Sequence, residues 1–121
     1  MSNTRKIPRD ELDGYFNAFT RKFLSDQSPE SINVELLAPD WGDQFVAEGV
    51  RLLGITYDSH DNALEFELSG GDHRVIDPRE VWAVEEPDGF VSAVQVIRAD
   101  GTRDVARVQR ADSRSDERGR S

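Results

Sequence analysis

Gln44-Phe-Val-Ala-Glu-Gly-Val-Arg-Leu-Leu-Gly-Ile-Thr-Tyr57 is the stretch that decides the fold. Its β-branched and aromatic side chains suit a pleated, half-buried surface. Fourteen residues are too many for one flat strand. Gly49 and Gly54 offer places where the run can bend sharply or split at a bulge.

On both sides of this run the pattern stays at period two. Upstream, Ile32, Val34 and Leu36 alternate with Asn33 and Glu35, and Ala38 to Asp43 reads as a turn punctuated by Pro39 and Gly42. Downstream, Leu64, Phe66 and Leu68 alternate with Glu65 and Glu67. Short strands are expected at His73–Ile76, Val81–Val84, Val91–Arg98 and Thr102–Val108. Asp100-Gly101 between the last two predicts a tight hairpin of type I′, which requires positive φ at both central residues.

Only the N-terminal part has a helical period. Leu12, Tyr15, Phe16, Phe19 and Phe23 fall on one stripe of a helix over residues 9–25. Asp10, Glu11 and Asp13 suit its first turn, and Arg21 and Lys22 its last. Pro8 stands at the entrance, and Ile7 is placed to pack back on Leu12.

The chain is therefore expected to be α+β and β-rich. Its N-terminal amphipathic helix should pack on a strongly bent antiparallel sheet, or on a small SH3-like or Sm-like barrel, of five to six strands. Residues 1–110 read as one globular domain, with the strands inside 31–109. From Ala111 onward there is no leucine, isoleucine, valine or aromatic residue. Nothing in 111–121 can offset the cost of ordering the backbone, so this tail is expected to be disordered.

Acidic residues outnumber basic ones 24 to 15, and the formal charge is −9. Residues 107–121 hold five arginines against three acids, so the rest of the chain carries −11. Only Lys6 and Lys22 are lysines. An aspartate-rich surface that sheds lysine fits a salt-loaded cytoplasm, where self-repulsion is screened within about 3 Å at 1 M. Such a charge disfavours nucleic acid and anionic lipid as partners. There are no cysteines, which removes disulfides, thiol catalysis and thiolate metal sites. No apolar run is long enough for a signal peptide or a membrane span, and a cytoplasmic location is expected.

Four segments together carry a resemblance: Ile7-Pro-Arg-Asp-Glu11, Gly54-Ile-Thr-Tyr-Asp58, Asp72-His-Arg-Val-Ile-Asp-Pro78 and Asp100-Gly-Thr102. In this order the chain resembles a family of small uncharacterised bacterial proteins, a domain of unknown function of about this length. The likeness covers roughly residues 5–108 and implies no activity, cofactor or site residue.

Chemistry-bearing motifs are sparse. Both histidines, His60 and His73, have acidic neighbours, in Asp58-Ser-His-Asp61 and Asp72-His73. Hairpin geometry puts those two turns at opposite ends of the 63–69 strand, about 20 Å apart at ~3.3 Å per residue. Each histidine is therefore expected to be exposed or to cap a turn. Asp58 to Glu65 lacks the glycine and the spacing of an EF-hand loop, and reads as a turn with Asx hydrogen bonds. Ser59 beside His60 has no third residue to orient the imidazole. Phe45, Tyr57, Phe66, Trp82 and Phe90 would make a nucleic-acid stacking platform only with basic neighbours, and theirs are acids. Core packing is the expectation for them. Trp41 lies in the turn after Pro39, where burial is least expected. If exposed, it marks a contact with a protein partner.

The expected function is a non-enzymatic protein-interaction or accessory module with no metal or cofactor. Two other classes are weighed. An Sm-like or SH3-like RNA-binding subunit predicts a ring oligomer, and a metal-dependent hydrolase would use Asp58, His60 and His73.

Overall fold

A computed structural model describes residues 2–24, 30–38 and 42–109, with backbone alone for 30–38 and 42–46. Trp41 and the tail 111–121 fall outside these residues. The expectations for both lie outside them too.

The helical segment runs over residues 9–24 in three pieces. A 3-10 turn at Arg9–Glu11 leads into α1, Leu12–Phe19, and the wider helical turn Thr20–Leu24 finishes it. Leu12, Phe16 and Phe19 are buried, with Tyr15 and Phe23 half-buried beside them. The stripe read from the sequence is thus the face that packs. Phe19 meets Phe23 and Phe90 with ring centroids 5.5 and 5.6 Å away.

The described residues form eight strands, more than the five to six expected, because each period-two segment makes its own strand and a further one forms outside 31–109. They are β1 (Asn3–Lys6), β2 (Glu30–Ala38), β3 (Gly42–Asp58), β4 (Ala63–Leu68), β5 (His73–Ile76), β6 (Pro78–Glu85), β7 (Val91–Arg98) and β8 (Arg103–Gln109). The polar stretch Asn3–Lys6 gives no strand signal of its own. It pairs antiparallel with β6, Lys6 opposite Trp82 and Asn3 opposite Glu85. Ile7 extends the ladder through its N–H to the Val81 carbonyl at 2.8 Å. Pro8 has no N–H to continue it, and the chain turns into the helix.

All ladders are antiparallel, in the order β1-β6-β7-β8-β2-β3-β4-β5. Four strands (β1, β6, β7, β8) and three strands (β3, β4, β5) meet at β2. The flanks curl toward each other until β5 lies against β7. The terminal strands β1 and β5 do not pair with each other, so the sheet is open. This corrects the barrel expectation: the curl is closed by packing of the helix and side chains, not by a continuous ladder.

The long run is one strand, β3, of 17 residues. It bends where it gains a residue on its neighbours. Ile32 pairs with Val50 but Val34 with Ala47, which leaves an extra residue on β3 beside Gly49 at φ +62°. A second extra residue, Val46, lies between the Val34–Ala47 and Glu35–Phe45 pairs, and a third, Leu53, lies between the Leu52–Leu68 and Gly54–Glu67 pairs and is exposed. The described β2 ladder reaches β3 only as far as Leu52. Three residues on, the Thr20 hydroxyl accepts from the Ile55 N–H and donates to its carbonyl, both at 3.0 Å. The end of the helix therefore satisfies backbone groups that β2 does not reach. A Cβ at Gly54 would stand 2.8 Å from Glu67 Oε1, so the glycine leaves room for that carboxylate, and 3.4 Å from the Thr20 methyl.

The Asp100-Gly101 hairpin is not of type I′. Only Gly101 has positive φ, at 90°. The Gly101 N–H reaches the Arg98 carbonyl at 3.0 Å, and the Arg98 N–H reaches the Thr102 carbonyl at 2.8 Å. Three residues form the loop, the last in the left-handed region. The Asp100 carboxylate accepts from the Thr102 N–H at 3.0 Å, a bond available with Asp100 at ordinary φ. Pro87-Asp88-Gly89 between Glu86 and Phe90 repeats the arrangement.

Candidate functional site

Asp58, His60 and His73 do not come together. Asp58 pairs with Ala63, and His73 with Phe66, so about 10 Å of strand separates their positions along β4. The Asp58 carboxylate accepts from the N–H groups of His60 and Asp61, the Asx turn expected there. The Asp61 N–H, foremost, holds its pKa below the usual carboxylate range. Arg74 gathers Asp61, Glu65 and Asp58 at 3.2, 3.4 and 3.6 Å. Among the described residues no group of three histidine or carboxylate side chains is placed to hold a metal.

His73 corrects the sequence reading. Its side chain is 13% exposed, and Nε2 lies 2.7 Å from Asp104 Oδ2. Asp104, on β8, is fully buried at its side chain. Arg98 from β7 clamps it with Nε to Oδ1 at 2.7 Å and Nη2 to Oδ2 at 2.8 Å. Three strands thus deliver one histidine, one aspartate and one arginine to a single buried point. Burial pushes the Asp104 pKa up, but the bonds from His73 and Arg98 outweigh it and hold it below its ordinary value. The same bond raises that of Arg98. Sequence reasoning missed Asp104. The available signal is its place in Arg103-Asp-Val-Ala-Arg-Val108, where it shares a period-two face with Ala106 and Val108.

The aromatics expected in the core are there. Tyr57, Phe66 and Phe90 are buried, and Trp82 is half-buried with its indole N–H donating to Glu80 at 2.9 Å. The side chain of Phe45 lies outside the description. Buried rings present no stacking platform.

A concavity of about 740 Å³ opens between the N-terminal arm and the β5–β6 corner. Ile7, Pro8, Leu12, Pro78 and Val81 give it an apolar floor. Lys6, Arg9 and Arg79 stand on its rim with Asp77 and Glu80. Asn62 joins them from the β3–β4 turn. Asn62 and Asp77 have φ of 50° and 54°, the two positive values among described residues other than glycine. They brace each other: Asp77 N–H donates to the Asn62 carbonyl at 2.9 Å, and Asn62 Nδ2 donates to Asp77 Oδ1 at 3.2 Å. The Tyr57 hydroxyl donates to Asn62 Oδ1 from behind. The Asn62–Asp77 side of the rim is therefore fixed by backbone and side-chain hydrogen bonds together.

The molecule is thus an open, curled antiparallel sheet plugged by one helix, with a braced cleft at the corner and a buried charge cluster. It belongs to the family of unknown function DUF5335, whose model matches residues 3–117. A relative in Aquifex aeolicus (strain VF5), described as an uncharacterized protein, is 29% identical over 109 residues, which is 89% of this chain and 94% of the relative. No solved structure matches the chain.

Proposed function

We propose that this protein is a non-enzymatic accessory module that docks a protein partner in the cleft between the N-terminal arm and the β5–β6 corner, in a salt-adapted cytoplasm. One observation carries the reading. Two buried or half-buried polar groupings, His73–Asp104–Arg98 and Tyr15–Glu85, are committed to structural bonds, whereas the large concavity has an apolar floor and a braced rim. Concavities that combine an apolar lining with placed polar groups are the usual form of a binding site, and this one mixes the two about evenly. The separation of Asp58 from His73 argues against a shared metal.

Site-specific photocrosslinking in the native host tests the reading. A photoreactive residue at position 79, and another at position 9, should yield the same discrete protein adduct. A residue in the distant Ala99–Gly101 loop should yield none. Adducts equal at all three positions, or absent from the cleft positions, would remove the docking reading.

A further inference from the structure

The geometry points to the cleft as a receptor for an acidic peptide segment, a stretch of the docked partner carrying carboxylates beside apolar side chains. This rests on the docking reading and adds the chemistry of what docks. The carboxylates of this chain outnumber its basic groups by nine, yet Arg9 and Arg79 are exposed on the rim with no carboxylate within ion-pairing distance among the described residues. The two acids of the rim are already engaged. Asp77 accepts from Asn62 at 3.2 Å, and Glu80 accepts from the Trp82 indole at 2.9 Å and lies 4.0 Å from Lys6. Two guanidinium forks are left facing a cleft whose floor is apolar. Guanidinium binds carboxylate bidentately, and the apolar floor takes the alternating side chain. Net charge −9 repels an acidic segment at long range, but beyond about 8 Å that repulsion is screened at physiological salt. Contact is decided by the rim.

The test is an NMR titration of the isotope-labelled full chain with three probes: a short peptide alternating glutamate and leucine, its glutamine counterpart, and acetate. The amides of Ile7, Leu12 and Val81 report. The glutamate peptide should shift them saturably. Affinity should fall about ten-fold or more for the glutamine peptide, and similarly for the Arg9→Gln/Arg79→Gln variant with the glutamate peptide. Neither arginine has a side-chain partner among the described residues, so the variant should keep the parent spectrum elsewhere. Equal binding of the glutamine peptide would overturn the acidic inference and leave docking standing. Acetate shifting the cleft as strongly as the peptide would assign the site to a free anion and overturn the peptide. Silence from both peptides with crosslinked adducts still forming would overturn the inference alone. Silence with no adduct would end both readings.

Discussion

Asp104 illustrates how one residue can bind three strands. An ionised carboxylate stripped of water is unstable unless donors replace the water. Here the Arg98 fork takes both oxygens, and His73 takes one of them again. Asp104→Asn leaves the Arg98 charge without its counter-ion in a half-buried setting and should cost about 3–5 kcal/mol in chemical denaturation. His73→Ala should cost less, because the bidentate pair survives. The pH dependence has a definite sign. The Asp104 pKa is lower folded than unfolded, so the unfolded chain binds more protons in between. The stabilisation is present above the unfolded value of about 3.9 and fades as pH falls through the folded value. Acid titration of stability should therefore be steeper below pH ~4 in the parent than in Asp104→Asn. Parallel curves would show that Asp104 is not the group responsible.

At the scale of elements, the helix and β3 are fitted to each other. Phe19 is 4% exposed and lies against Phe23 and Phe90. Phe19→Ala should destabilise by about 3–5 kcal/mol. A loss below about 1 kcal/mol would mean the helix does not seal the curl. The bend in β3 makes a cleaner case, because a side chain at Gly49 meets nothing within 4 Å. Gly49→Ala then measures backbone strain alone, about 1–2 kcal/mol from the positive φ. A neutral result in thermal or chemical melts would show that the bulge can relax. The bend matters because it turns β3 from its ladder with β2 to its ladder with β4, and so brings β5 over toward β7.

The whole molecule carries a large excess of carboxylates, and among the described residues Asp104 is the one that is buried, the others being exposed or half-buried. Exposed charges are screened by salt, buried pairs much less. If the composition is an adaptation to salt, stability should rise clearly from dilute buffer to 1 M KCl. The pH dependence contributed by Asp104 should change little over the same range. Denaturant midpoints in the two buffers decide it, and equal midpoints would dispose of the habitat reading.

The sequence by itself determined the elements whose signals are local. The stripe Leu12-Phe16-Phe19, the alternation in β4 and the glycines of β3 each report a periodicity or a backbone permission that belongs to neighbouring residues. Tertiary structure decided the rest. β1 is polar and exists because β6 offers it a ladder. The Asp100 hairpin took a three-residue loop because a carboxylate bond to Thr102 replaced a second positive φ. The cleft joins residues 6–12, 62 and 77–81, and the charge cluster joins 73, 98 and 104. Those groupings arise from how far the sheet curls, and curl is the summed outcome of bulges and packing across many strands. No short window of sequence contains it.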